Sequence, residues 1–517
     1  MRPFPLSIRR SGILLHPTSL PGHWPSGCLG NDARRFIDFL VASGQSIWQM
    51  LPLGVPHDDG SPYQCLSLFA GNPALICPED LREAGWLDDT ELQQALAKID
   101  ESVPVSEIQQ AVLRHAYTGF KARASKHDHQ ELANFVASQT DWLDDYALYQ
   151  VLRQRYQHRP WNQWPQALRD RQSRAINEAH ERLAADKEQV FFEQFVFFRQ
   201  WRTLKEYANN RGVLLFGDMP IFIAYDSVDV WREPGYFDLD EDGRPRTVTG
   251  VPPDYFSATG QRWGNPHYRW DIMAADGFRW WKRRLAAQLE LFDIIRIDHF
   301  RGFESSWVIP AEHDTAIDGH WVTVPGYALF SSLMDEFGVL PLVAEDLGII
   351  TPEVEALRDH FHLPGMKILQ FAFSGDPDNP YLPENHTVNS VVYTGTHDND
   401  TSLGWYQSLD EKDRATVDQY LKIGVKDIMP WPLIEMALGS VANTAILPMQ
   451  DVLALDGRHR MNTPGTQTGN WKWRFDWQDI PDGLPQHLSA LAARYDRLPQ
   501  PATGSARASM DKNAIPD

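Results

Sequence analysis

Eight short apolar runs, most meeting a polar or charged residue at the C-terminal end, constrain this chain more than any other feature. They are GILLH (12–16), SIWQML (46–51), VLLFGD (213–218), DIIRID (293–298), PLVAED (341–346), MKILQFAF (366–373), SVVYTGTHD (390–398) and TAILPMQD (444–451). Their length and composition predict β-strands. Amphipathic stretches separate most neighbours, such as ADGFRWWKRRLAAQLELF before the fourth run and PEVEALRDHF after the fifth, as parallel βαβ units require. Eight such units close a barrel, so the expected fold class is α/β, a (β/α)8 TIM barrel with large insertions between its strands. Catalytic groups of such barrels sit where strands end, and there fall His16, Asp218, Asp298, Glu345, His397 and Asp398.

The whole chain, 1–517, reads as one catalytic barrel with two long intervals that a minimal barrel does not need. The first, 56–211, is expected to be a mainly helical insertion. Within it Ser106 and Gln109 suggest a capping box ahead of a face formed by Ile108, Ala111, Val112 and His115. Phe191, Phe195 and Phe198 are spaced for a helix and are expected to be core. The second, 220–276, is rich in Gly, Pro and aromatics and is expected to be a loop-rich cover over the cleft, with a hairpin turn at Glu241–Gly243. Residues 500–517 have the composition of a disordered tail.

Composition narrows the function. With 48 basic against 69 acidic residues the formal charge is −21, which repels phosphate backbones and anionic membranes, so neither nucleic acid nor membrane is an expected partner. The three cysteines, Cys28, Cys65 and Cys77, show neither a disulfide framework nor a zinc spacing. The N-terminus has no adequate apolar signal core and no later stretch approaches a membrane span, so a soluble, cytoplasmic protein is expected. The 19 tryptophans suit the apolar faces of sugar rings, although any single one is better read as packing.

The strand ends carry the chemistry. Alternation puts Ile294, Arg296 and Asp298 on one face, so an arginine neighbours an aspartate at a strand end and favours its ionised form, the state a nucleophile needs. A plain ion pair is an equal reading of those two residues alone. Glu345, at the rim of the apolar run Leu342, Val343 and Ala344, has the setting of a proton donor. His397 and Asp398 add an imidazole and a third acid. Three acids at one mouth suit retaining glycoside chemistry. They would also suit Mg2+ or Ca2+, but Arg296 is an unwelcome neighbour for a cation, so neither metal nor cofactor is expected.

RIDHFRGFE (296–304), VAEDLG (343–348) and TGTHDNDT (394–401) resemble the three catalytic signatures of the amylomaltases, or disproportionating enzymes, of the α-amylase clan. SGILLHPTSLPG, SPYQ, FAGNP, GDMPIF, GVPPDYFSATGQRWGNPHY, ILPMQD and RMNTPGTQTGNWKWR extend the resemblance over nearly the whole barrel. It implies a 4-α-glucanotransferase acting on α-1,4-glucans and maltooligosaccharides without a cofactor. Carried over, Asp298 would be the nucleophile, Glu345 the general acid/base and Asp398 the third carboxylate. Arg296, His299 and His397 would flank them, with Asp218 at the neighbouring strand end, and Tyr63 would stack beneath the reacting sugar. Asp254, Tyr255 and Phe256 would belong to a flexible loop, 250–260, over the cleft, and Asn470 to a partly structural C-terminal motif. Cys65, Cys77, Ser306 and Val324 depart from the pattern. The nearest rival is an α-glucan hydrolase using the same acids with water as acceptor. A non-catalytic glucan-binding barrel is opposed by the presence of all three acids.

Overall fold

The computed structural model describes residues 5–100, 105–253, 257–424, 428–466 and 468–499. The expected tail 500–517 and the loop residues Asp254, Tyr255 and Phe256 lie outside the described residues.

Each of the eight runs contributes one strand: β1 (Arg10–Leu14), β2 (Ile47–Gln49), β3 (Leu214–Pro220), β4 (Ile294–Asp298), β5 (Leu342–Ala344), β6 (Gly365–Ile368), β7 (Ser390–Tyr393) and β8 (Thr444–Pro448). They form one parallel sheet in the order β6-β7-β8-β1-β2-β3-β4-β5. The Ala344 N–H donates to the Pro364 carbonyl at 2.8 Å, bringing β5 to the start of β6 and closing the ring.

Alternation along the strands sorts the apolar side chains into two layers. Leu14, Ile47, Phe216, Ile294, Val343, Met366, Ile368, Val391, Tyr393 and Ile446 fill the barrel interior. Ile13, Trp48, Leu215, Ile295, Ile297, Leu342, Ala344, Val392, Ala445 and Leu447 belong to the larger core shared with the helices. Gly12 is needed where β1 meets β2, because a Cβ there would lie 2.4 Å from the Ile47 carbonyl oxygen. The surrounding helices include Asn31–Ala42, Ala184–Asn209, Arg279–Leu291, Gly326–Phe337, Pro352–His360, Trp431–Gly439 and Leu484–Arg494. Pro352–His360 has its start and stop chemistry in the sequence, with Pro at its first position, Glu353 and Glu355 in the first turn and Arg358 and His360 in the last. Between β6 and β7 the described residues form only the 3-10 turns Leu369–Phe371 and Pro383–Asn385.

The interval 56–211 holds the helices Val105–Arg123, Lys126–Ser138 and Leu143–Arg155 before Ala184–Asn209. The capping box expected at Ser106 does not form. The helix is already under way at Val105, and the Gln109 amide instead donates to the Ala74 carbonyl at 3.4 Å. Ile108 and Val112 are buried, but the stripe continues through Ala116 and Phe120 while His115 faces solvent. Phe195 is buried, and Phe191 and Phe198 pack against the same core.

The interval after β3 contains structure that its loop-like composition conceals. Thr247–Val251 pairs antiparallel with Gln261–Pro266 on one side and with Ser305–Pro310 on the other, and His320–Thr323 completes a four-stranded sheet. Two of these strands come from the β4–β5 connection. The turn at Glu241–Gly243 forms as expected: the Asp240 N–H donates to Arg244 at 2.8 Å and Gly243 has a φ of 73°. Among the described residues no helix is long and apolar enough to cross a membrane.

Candidate active site

The parallel register of β3 and β4 sets Asp218 directly beside Arg296, two residues before the strand ends at Asp298. Both side chains point into the barrel mouth, and one guanidinium serves two carboxylates. Arg296 Nη1 donates to Asp218 Oδ1 and Oδ2 at 2.9 and 2.7 Å, and Nη2 donates to Asp298 Oδ1 at 2.8 Å. Burial pulls the Arg296 pKa down, but Asp218 and then Asp298 more than offset it and hold the guanidinium well above the ordinary arginine value. The Tyr63 hydroxyl donates to Asp218 Oδ2 at 2.8 Å, fixing the ring from the loop after β2.

Glu345 ends β5 next to this pair. Its Oε2 accepts the His299 N–H at 2.6 Å and its Oε1 the Leu347 N–H at 3.2 Å. Burial pushes its pKa up from 4.5 to about 8; Arg296 opposes the shift and Asp298 adds to it. The residue is therefore protonated around neutral pH. Its neighbour Asp346 points the other way, where it pairs with Arg358 and accepts the Met366 N–H at 2.6 Å. Of the two adjacent acids only Glu345 belongs to the mouth.

The rim beyond β7 completes the site. His397 lies nearly parallel to Tyr63, with ring centroids 5.2 Å apart and planes 17° apart, and Trp471 tilts against both rings. Asp398 is exposed, with Oδ1 3.3 Å from His397 Nε2 and 2.6 Å from the Asn462 amide that donates to it. The charges of Asp218, Asp298 and Asp398 all act on the Tyr63 hydroxyl and, after burial, help keep it protonated.

The remaining expected residues divide. His299 occupies a left-handed turn with φ 53°. Its ring stands edge-on to Trp263 at 4.8 Å, burial pushes it down to about 4, and its Nε2 is buried without a partner among the described residues. It is a neutral imidazole with a free nitrogen. His16, at the end of β1, is likewise buried and neutral, pushed down to about 3. Asp218, expected among the sugar contacts, has a fully buried side chain because the strand register commits both its oxygens to Arg296. The Asn470 amide is spent on its own loop, donating to the Thr466 carbonyl at 3.0 Å and accepting the Thr463 N–H at 2.9 Å. Asp254, Tyr255 and Phe256 lie outside the described residues, but the strands flanking them form the hairpin whose Trp263 meets His299.

Sequence reasoning did not single out Asn462, Arg460 or Trp263. All three lie in segments quoted for other residues. Arg460 donates to the Asp398 carbonyl at 2.9 Å and Asn462 to its side chain, a pairing across more than sixty residues that has no local periodicity to betray it. The site can hold one carboxyl protonated beside another paired with a guanidinium, with an aromatic floor and a third, open acid. These are the parts of a retaining displacement at a sugar carbon.

A profile of the family described as 4-alpha-glucanotransferase matches residues 15–479. The chain is 48% identical over 503 residues to the 4-alpha-glucanotransferase of Thermus thermophilus, covering 95% of this chain and 99% of that one. It is 47% identical over 498 residues to the Synechocystis 4-alpha-glucanotransferase, again covering 95% and 99%. The fold matches the amylomaltase of Streptococcus agalactiae in complex with acarbose with a TM-score of 0.91 at 34% identity, over 95% of this chain and 99% of that one. With its barrel, its acid-lined mouth and this likeness along nearly its full length, the chain belongs to the 4-alpha-glucanotransferase family.

Proposed function

We propose that this protein transfers α-1,4-glucan segments between maltooligosaccharides or longer glucans by a retaining double displacement, with Asp298 as nucleophile, Glu345 as general acid/base and Asp398 as the group that grips sugar hydroxyls. The observation that carries the reading is the contrast between two carboxyls at one rim. Glu345 is protonated near neutrality, while Asp298 accepts a bond from a guanidinium at 2.8 Å.

In the first step Glu345 gives its proton to the glycosidic oxygen as a carboxylate oxygen of Asp298 attacks C1. The C1–O bond breaks, the reducing-end fragment leaves as an alcohol, and a β-linked glycosyl ester remains. In the second step the 4-hydroxyl of another glucan loses its proton to Glu345 and displaces Asp298, restoring the α linkage. Arg296 engages Oδ1 of Asp298, which leaves Oδ2 for the attack. Asp218 acts through Arg296 and Tyr63 as a positioning residue, and the Tyr63 and His397 rings form an apolar floor for the sugar. His299 Nε2 and Asp398 have hydrogen-bonding capacity left for hydroxyls.

Transfer must outcompete water at ~55 M, which requires an acceptor held with high effective molarity. We assign this work to the segment 250–260 with Asp254, Tyr255 and Phe256, within the insertion 220–276, which would cover bound glucan and keep the ester dry. Three free cysteines suit a reducing, cytoplasmic setting. Incubation with maltotriose tests the reading: glucose and a ladder of longer maltooligosaccharides should appear while total reducing ends stay nearly constant. Reducing ends that climb in step with bond cleavage would make the protein a hydrolase.

A further inference from the structure

Cys28, Cys77 and Glu79 come from two segments far apart in the chain, yet one ligand atom of each lies within 4.8 Å of the others. Both cysteines are free and buried, whereas Glu79 is half-buried. The segments are tied together beside the cluster: the Leu29 N–H donates to the Leu75 carbonyl at 2.9 Å, and Arg34 Nη2 reaches Asp80 at 3.1 Å. Cys77 Sγ is 3.2 Å from Glu79 Oε2, so the carboxylate turns onto the sulfur, although it could reach solvent instead. Gly30 leaves room for this approach, since a Cβ there would sit 2.2 Å from Cys77 Sγ. The cluster shares no residue with the carboxylate network of the barrel mouth.

Two sulfurs and a carboxylate oxygen converging from one side are the donors a borderline-soft divalent cation takes, at about 2.3 Å for zinc–sulfur and about 2.0–2.2 Å for zinc–carboxylate bonds. All three donor atoms lie within 4.8 Å of one another, so one cation could be reached by all of them after a contraction of the cluster.

We propose that Cys28, Cys77 and Glu79 form a binding site for a zinc-type divalent cation, separate from the catalytic centre, which clamps the loop after β1 to the segment 73–79. Binding exchanges each S–H bond for a sulfur–metal bond and releases the two protons to solvent, with no change of oxidation state.

The test is titration of the reduced full-length protein with Co2+. One equivalent should produce a near-ultraviolet sulfur-to-cobalt charge-transfer band, equimolar Zn2+ should abolish it, and saturating Zn2+ should raise the melting temperature. Cys77→Ser and Cys28→Ser should each lose the two-sulfur band. Glu79→Gln, whose side chain is partly solvent-exposed and whose fold is therefore secure, should keep the band with affinity weakened at least about tenfold. Cys65→Ser should behave as the unmodified protein. Absence of the band in reduced protein, its retention at full strength in Cys77→Ser, or unchanged affinity in Glu79→Gln would overturn the proposal.

Discussion

The two sides of the barrel mouth are built differently. On the β3–β5 side, Asp218, Arg296, Asp298 and Glu345 stand on strand ends and bind one another or backbone N–H groups, and the side chains of Asp218 and Arg296 are 0% and 5% exposed. In the loops around them, Asp398 beyond β7 is 48% exposed and is held by Asn462 from a distant loop, while the hairpin inserted after β3 reaches His299 through Trp263. The contrast separates two tasks. Bond making and breaking needs groups fixed to within fractions of an ångström, which strands and buried ion pairs provide. Gripping successive glucans of different length needs surfaces that can admit and release them, and loops serve that purpose.

Changes on the fixed side should therefore cost most. Asp298→Asn and Glu345→Gln should each lower transfer at least about a thousandfold with circular dichroism unchanged, since neither the covalent nor the proton-transfer role can be shared. Transfer within about tenfold of normal in either variant would remove the assignment. Asp218→Ala should cost up to about 3–5 kcal/mol of stability, because it removes one of the two carboxylates that balance the buried Arg296, together with a large loss of kcat. If melting is unaltered, the Asp218–Arg296 pair does not hold the site together.

A pH experiment sharpens the same contrast. The folded Glu345 carboxyl is raised from 4.5 to about 8, so between those values the folded chain holds a proton that the unfolded chain has lost. Its contribution to stability is present below about pH 4.5 and is lost as pH rises through about 8. Transfer by the unmodified protein should also decline as pH rises through about 8, when the proton donor is spent. Glu345→Gln should abolish that limb in stability, becoming more stable than the unmodified protein above pH 8. Parallel stability curves across this window would contradict the account of Glu345.

Effects on the open side should be smaller. Asn462→Ala removes one hydrogen bond to a charged acceptor and should lower kcat/KM about tenfold. A Tyr255→Ala, Phe256→Ala double variant should keep bond cleavage largely intact while raising the ratio of hydrolysis to transfer, measured as reducing ends released per maltotriose consumed. A thousandfold loss in either variant would erase the distinction between the two sides.

The same division governs what was legible in the sequence. The eight strands could be read because parallel barrel strands are continuous apolar runs with a polar end, and Asp298 and Glu345 followed from position at those ends. Alternation explains why Glu345 and not Asp346 enters the mouth, although only the Asp346 contacts with Arg358 and Met366 settle it. Asp218 could be placed at the rim, but its full burial depends on the β3–β4 register, which no single run encodes. The antiparallel sheet was hidden because its strands come from two separate insertions and two are interrupted by Gly or Pro. Long-range pairs such as Asn462 with Asp398, or Cys28 with Cys77, leave no periodic trace at all.

The central claim is that bond transfer runs through an ester on Asp298, formed with help from Glu345. It is tested most directly by giving Glu345→Gln protein an α-maltosyl fluoride, whose leaving group needs no acid, and mapping the product by peptide mass spectrometry. The first displacement should proceed and the second should stall, leaving one maltosyl unit on the peptide that contains Asp298, and the adduct should be absent when Asp298→Asn is added. An adduct on another carboxylate, or rapid fluoride release with none trapped even at short times, would contradict the account.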